Sequence, residues 1–120
     1  MNPIQYSTFV GTCAKSGELI ANSMTPSDAH ILHMAVGISG EAGELLDAIK
    51  KAVIYKKPLD LTNVIEELGD LEFYLEGLRS YLRVDRQYTI DLNVEKLRKR
   101  YPEGYSDVMA QVRADKIAGP

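Results

Sequence analysis

Apolar residues recur every three or four positions over most of the chain, which is the period of an amphipathic α-helix. The longest such stretch places apolar side chains at Ile31, Leu32, Ala35, Ile38, Ala42, Leu45, Leu46, Ile49 and Val53. An alternation with a period of two does not persist in any segment. The pattern predicts an all-α protein, a four- to five-helix bundle with helices at about 4–22, 28–55, 62–83 and 89–100.

Polar residues between the apolar stretches predict where the helices begin. Ser27 or Asp28 is expected to cap the second helix, because both side chains can accept a hydrogen bond from a free backbone N–H group. For the same reason, Thr62 or Asn63 is expected to cap the third helix. Residues 83–88 read as a polar turn before the fourth helix.

The length and composition indicate one domain over residues 1–120. Residues 105–120 are expected to add at most one short helix. A net charge of −3 gives no basic surface for nucleic acid, and no stretch approaches the ~20 apolar residues of a membrane span. The only cysteine, Cys13, favours a reducing compartment. The N-terminal MNPIQYSTF lacks a basic stretch before an apolar run, so we expect no signal peptide and a cytoplasmic protein.

Two pairs of acidic residues have the same spacing, Glu41-x-x-Glu44 and Glu67-x-x-Asp70. Residues three apart lie on one side of a helix, with Cβ atoms about 5–6 Å apart. One such pair is common on helix surfaces and is weak evidence for a site. If the second and third helices form an antiparallel hairpin, however, the two pairs converge, and hard divalent cations prefer carboxylate oxygens. The sequence therefore predicts a magnesium site.

The helix lengths allow this convergence. Glu44 lies about 16 Å before the predicted end of the second helix, and Glu67 lies about 7.5 Å after the predicted start of the third. The connection at 56–61 must recover the difference of about 9 Å, and six extended residues span about 20 Å. A hairpin with level acidic pairs is therefore feasible.

Three glycines, Gly37, Gly40 and Gly43, lie along one line of the second predicted helix. Each costs about 1 kcal/mol relative to alanine in a helix interior. Two explanations remain open, the close approach of a neighbouring helix and room for a ligand beside the first acidic pair. Gly69, inside the second pair, is expected to give clearance from the facing helix.

These motifs resemble those of the MazG-like all-α nucleoside triphosphate pyrophosphohydrolases, in the dimeric dUTPase/MazG superfamily. The resemblance rests on GEAGEL at 40–45, on EELGDL at 66–71, and on NVEKLRKRYPEG at 93–104. It covers about 75 residues, and the short single-domain form is similar to phage and bacterial members. If a phage encodes the chain, the cytoplasm is that of the host.

The resemblance implies hydrolysis of a (d)NTP to a (d)NMP and pyrophosphate for nucleotide-pool control, with Mg²⁺ or, as a substitute, Mn²⁺. It implies a homodimer or homotetramer. The expected catalytic and metal-binding residues are Glu41, Glu44, Glu67 and Asp70. Those expected to bind phosphate and sugar are Asn93, Lys96, Arg100 and Tyr101. By helical spacing, the candidates for a base pocket are His30, His33, Met34 and Gly37.

Two alternatives stay open at this point. Phosphoribosyl-ATP pyrophosphohydrolase resembles the same superfamily, and differs in the breadth of nucleotides that it accepts. The second alternative is a helical binding or regulatory module that does not turn over substrate. The presence of all four acidic residues argues against this loss of activity. The pair His30-x-x-His33 lacks the further ligands that a zinc site needs.

Overall fold

The computed structural model describes residues 1–116 of the chain, and these residues form helices and no β-strand. The helices are α1 (Pro3–Cys13), α2 (Gly17–Ser23), α3 (Pro26–Val53), α4 (Leu61–Leu82), α5 (Arg86–Arg100), α6 (Asp107–Val112) and a 3₁₀ helix (Ala114–Lys116). The predicted all-α class is confirmed. The described helices include none with the length and apolar content that a bilayer crossing demands.

The helix predicted at 4–22 is in fact two helices, so that prediction is wrong. Ala14 leaves the helical conformation, with φ −79° and ψ 131°. Ser16 then begins α2 by accepting a hydrogen bond from the backbone N–H of Leu19 at 3.2 Å. A serine side chain that caps a new helix competes with continuation of the preceding one, which the apolar period alone does not reveal.

The other helices begin earlier than the sequence suggested. Thr25 caps α3 in a reciprocal capping box with Asp28, and Asp60 caps α4, so the predicted caps at 27–28 and 62–63 are wrong. Asp85 caps α5 by accepting from the backbone N–H of Gln87 at 3.3 Å. This cap lies inside the stretch predicted as a turn, so α5 begins at Arg86, earlier in the chain than predicted.

Helices α3 and α4 form the antiparallel hairpin that the sequence predicted. Their register is fixed by two close contacts in which a glycine faces a large side chain. A Cβ on Gly37 would overlap the ring of Tyr74, and a Cβ on Gly77 would lie 2.6 Å from the sulfur of Met34. Gly37 is therefore needed for the close approach of the Tyr74 ring, whereas the flexible side chain of Met34, which is buried where the helices meet, can shift away from a Cβ on Gly77.

The remaining glycines of the hairpin behave differently. An added Cβ at Gly40, Gly43 or Gly69 meets no atom of a neighbouring element within 4 Å among the described residues. The close-approach explanation therefore holds for Gly37 but not for Gly40 or Gly43. The predicted clearance by Gly69 from the facing helix is wrong for the single chain.

A single chain buries little of its apolar surface. Met34 and Ala48 are the buried hydrophobic residues of the described chain, whereas Leu46 and Phe73 are 66% and 67% exposed. The radius of gyration is 20.4 Å, against about 14 Å expected for a compact chain of this length. The accessible surface is 9639 Å², against about 6,500 Å² for a folded monomer of this mass.

The C-terminal elements pack on α5. This helix contacts α6 and the 3₁₀ helix, and does not pack along the α3–α4 hairpin. An ion pair between Arg86 and Glu72, at 3.8 Å, joins its first residue to α4. At the other end, Arg100 binds Asp115 of the 3₁₀ helix through two hydrogen bonds. Helix α5 is thus held at its ends and projects away from the hairpin.

Candidate active site

The hairpin register brings three of the four predicted carboxylates together. His30 stacks on Tyr81 near one end of the hairpin, with ring centroids 4.2 Å apart. About three turns further along α3, Glu41 reaches the level of Glu67 and Asp70 of α4. Each of these three residues offers one oxygen atom, and the three atoms lie within 4.8 Å of one another.

The close approach of these carboxyl groups changes the pKa of Glu67. Its pKa is raised to about 7, first because its carboxyl group shares a hydrogen bond with that of Glu41, which requires one proton between them. Burial and the negative charges of Glu41, Asp70 and Glu44 raise the pKa further. The atom Oε2 of Glu67 is buried and has no hydrogen-bond partner. A buried carboxylate oxygen without a partner is costly and favours an additional ligand.

Glu44 lies outside the group of three oxygen atoms and is exposed. It is one turn after Glu41 on the same side of α3, and its charge is close enough to raise the pKa of Glu67. The sequence predicts that four carboxylates converge, and the structure brings three of them together. The fourth stands at the edge of the cluster in the single chain.

The negative charge of this cluster is not neutralised by the described part of the chain. No Lys or Arg among residues 1–116 forms an ion pair with Glu41, Glu67 or Asp70. Two cations of the hairpin pair elsewhere, since Lys51 binds Asp47 at 3.0 Å and Arg79 binds two other glutamates. A set of carboxylate oxygens with one orphaned oxygen fits a hard divalent cation such as Mg²⁺ or Mn²⁺.

The predicted phosphate- and sugar-binding residues lie on α5 and at its C-terminal end. Asn93 and Lys96 are exposed. The guanidinium of Arg100 binds Asp115 and lies 5.9 Å from the ring centroid of Tyr101. Because α5 does not pack along the hairpin, the structure does not bring these residues to the carboxylate cluster within one chain.

The candidates for a base pocket lie on the side of α3 that meets α4. Met34 and Gly37 are used for helix packing, and do not open into a cleft in the single chain. His30 and His33 are exposed, and the ring of His33 lies edge-on to that of Tyr74 at 6.1 Å. Among these four candidates, the side chains of His30 and His33 are therefore the ones accessible to a ligand.

Sequence reasoning missed the partner of Arg100. Asp115 lies 15 residues away and its side chain is 1% exposed. No spacing rule joins a helix to a carboxylate at that distance in the chain. The usable signal was local, because Ser106 caps α6 by accepting from the backbone N–H of Met109 at 3.0 Å. That cap predicts an ordered element after Pro102, which is the element that leads to Asp115.

The family model described as the MazG nucleotide pyrophosphohydrolase domain matches residues 30–105, which is more than half of the chain. No curated protein and no solved structure matches the chain. The matched residues span the hairpin with its three carboxylates and all of α5. The chain therefore belongs to the MazG family of nucleotide pyrophosphohydrolase domains.

Proposed function

We propose that this protein hydrolyses nucleoside triphosphates to monophosphates and pyrophosphate with Mg²⁺, for which Mn²⁺ can substitute. The family carries the general activity on nucleotides. The observation that supports the metal-dependent form is the carboxylate cluster of Glu41, Glu67 and Asp70, which has no cation of the described chain as its partner. Both deoxy- and ribonucleotides belong to the proposal.

Within this proposal, the cluster residues hold the divalent cation. Glu41 of α3 faces Glu67 and Asp70 of α4, and Glu44 lies one turn after Glu41 with its charge near Glu67. A bound cation supplies charge neutralisation for the phosphates and lowers the pKa of a coordinated water molecule. In the metal-free protein, Glu67 keeps a proton that it shares with Glu41. A metal ligand or the neighbouring Glu66 then serves as the general base.

Phosphate and sugar contacts come from α5 in this proposal. Lys96 and Arg100 are four residues apart, and thus lie on one side of the helix. Guanidinium and ammonium groups bind phosphate oxygens through charge-assisted hydrogen bonds. Asn93 and Tyr101 add neutral hydrogen-bonding groups at the same end. For the base, the exposed rings of His30 and His33 are the available members of the predicted set.

A second copy of the chain is part of the proposal, as a homodimer or homotetramer. Helix α5 does not reach the carboxylate cluster of its own chain, so a complete site needs α5 of another copy. The surface supports this requirement. The described chain exposes about 3,000 Å² more than a folded monomer of its mass, whereas a standard interface covers about 800 Å² per partner. Light scattering during gel filtration measures the state, and a monomer at micromolar concentration contradicts it.

The function is tested with the eight common (d)NTPs and phosphoribosyl-ATP in the presence of Mg²⁺. Monophosphate and pyrophosphate are quantified separately, so that cleavage at the α-phosphorus is distinguished from release of orthophosphate. We expect stoichiometric monophosphate and pyrophosphate from at least one (d)NTP, and none from the Glu67→Gln variant. Turnover of phosphoribosyl-ATP alone supports the histidine-pathway alternative, and no turnover of any substrate supports a binding module.

A further inference from the structure

An ion pair with two hydrogen bonds joins the end of α5 to the C-terminal 3₁₀ helix. Arg100 donates from Nε to Oδ1 of Asp115 at 2.8 Å, and from Nη2 to Oδ2 at 3.0 Å. The Asp115 side chain is 1% exposed and that of Arg100 is 16% exposed. Asp115 lies outside the residues matched by the family model.

Asp115 stays ionised throughout the neutral range. The hydrogen bonds from Arg100 are the largest cause that lowers its pKa, to about 2, against the opposing effect of burial. Arg113 adds a second cation, with Nε 3.7 Å from Oδ1. Breaking the pair with Arg100 therefore leaves a buried charge without its main partner.

The geometry of this pair leaves part of the guanidinium free. A guanidinium has five N–H groups, and Asp115 accepts from Nε and from one N–H of Nη2. Nη1 and the second N–H of Nη2 are not used by Asp115. The pKa of Arg100 is raised first by Asp115 and then by hydrogen bonding with the Tyr101 hydroxyl, so the remaining terminal donors face Tyr101 and solvent. A carboxylate bound in this side-on manner holds the guanidinium plane in one orientation and does not consume its terminal donors.

The cavity beside Asp115 is lined by groups of both charges. Lys96, one turn before Arg100, lines a cavity of about 210 Å³ together with Lys99, Glu95, Leu92 and Asp115. Lys99 pairs with Glu95 at 3.8 Å, whereas Lys96 forms no ion pair with the described residues. An arginine without a carboxylate partner such as Asp115 has many rotamers, and ordering it on a ligand costs side-chain conformational entropy.

We propose that Asp115 is a positioning residue for the substrate, because it holds Arg100 so that the unused N–H groups of Nη1 and Nη2 bind the polyphosphate. This inference rests on the proposed hydrolysis of nucleoside triphosphates. It differs from two other roles for the same contact. Asp115 can anchor the C-terminal segment only, or it can occupy Arg100 in place of phosphate and inhibit the enzyme.

Steady-state kinetics with one accepted (d)NTP separate these roles. Asp115→Asn keeps the shape of the side chain and removes its charge, so we expect KM to rise roughly tenfold with kcat nearly unchanged. Asp115→Glu keeps the charge, and its KM should fall between the two. Asp107→Asn is the matched control, since Asp107 is an exposed acid of α6 that accepts from the Tyr105 hydroxyl. It should leave KM unchanged.

A second pair of variants tests whether Asp115 acts through Arg100. In an Arg100→Ala background, Asp115→Asn should change KM no further, because the group that it positions is missing. An unchanged KM for Asp115→Asn with a lowered melting temperature assigns Asp115 to anchoring only. A lowered KM assigns it to inhibition. Either result overturns the proposal, while turnover by the wild type keeps the proposed function intact. If the wild type cleaves no triphosphate, both the proposed function and the role of Asp115 are contradicted.

NMR of the wild-type protein decides the case if the Asp115 variants fail to fold. The Nε–H signal of Arg100, assigned by its loss in Arg100→Lys, reports the bond to Asp115. On addition of Mg²⁺ and an α,β-imido analogue of an accepted triphosphate, we expect the Nε–H signal to keep its position and the Nη signals to shift. A move of the Nε–H signal to the position of a solvated arginine shows that phosphate displaces Asp115, and overturns the proposal.

Discussion

Binding of Mg²⁺ should release a proton from Glu67, and the pH dependence of that binding can be calculated. The pKa of Glu67 in the metal-free protein is raised from 4.5 to about 7, mainly through the hydrogen bond shared with Glu41. A carboxyl group must lose its proton before it binds a cation through both oxygens. At pH 6 only about a tenth of the Glu67 groups are ionised, whereas at pH 8 about nine tenths are. The apparent Kd for Mg²⁺ should therefore fall about tenfold between these pH values.

Isothermal titration calorimetry tests this calculation. Titrations in two buffers with different ionisation enthalpies give the number of protons released for each cation bound. We expect about 0.9 protons at pH 6, about 0.5 at pH 7 and about 0.1 at pH 8. Glu66→Gln is the matched control for binding, because Glu66 is exposed and lies outside the carboxylate cluster. A constant affinity without proton release would refute the placement of Glu67 as a protonated ligand.

The same proton predicts how the stability of the metal-free protein varies with pH. The folded-state pKa of Glu67 is above its ordinary value, so between about 4.5 and 7 the folded form binds more protons than the unfolded form. The free energy of unfolding should fall as the pH rises through this range. Asp115 has a lowered pKa, and its contribution is lost only as the pH falls towards about 2. Urea unfolding of the wild type and of Glu67→Gln measures the effect, and equal slopes would contradict it.

Five further variants test other parts of the structure. Glu41→Gln and Asp70→Asn should each lose most turnover. Their melting temperature without metal should stay level or rise, because each substitution relieves repulsion in the cluster. Near-normal turnover in either variant excludes that residue from the site. Lys96→Ala should raise KM roughly 10- to 100-fold with kcat little changed, and unchanged kinetics would exclude a phosphate contact. Gly37→Ala should lower the melting temperature, because the added Cβ overlaps the ring of Tyr74. Gly43→Ala is the control, since its Cβ lies in open space and should leave the melting temperature unchanged. An equal fall in melting temperature in both variants contradicts the packing argument.

The hairpin could be predicted from the sequence because its signals are local and repeated. The apolar period identified both long helices, and the spacing of Glu41, Glu67 and Asp70 placed their carboxylates on facing sides. Helix caps were less predictable, since several polar residues precede each helix and only one of them has the required backbone conformation. Glu44 shows the limit for the site, because helical spacing fixes the face of a side chain but not its rotamer.

The arrangement around α5 could not be derived from the sequence alone. The spacing of Lys96 and Arg100 correctly indicated one side of a helix, but not where that helix lies. The contact at its C-terminal end involves Asp115, a partner 15 residues from Arg100 that no periodic pattern indicates. The break between α1 and α2 was missed for a related reason, because a single capping side chain outweighs the apolar period.

The origin of the carboxylate cluster explains why it can exchange a proton for a metal ion. Once Glu41 and Glu67 are both ionised they repel one another and lose the hydrogen bond of the shared proton, so their own contacts do not hold them together in that state. Their separation is imposed instead by packing further along the hairpin, where Gly37 meets Tyr74 and Gly77 meets the buried Met34. Those apolar contacts do not depend on the charge of the cluster. The oxygens therefore stay close in both protonation states, and a cation that replaces the proton binds a site whose backbone is already ordered.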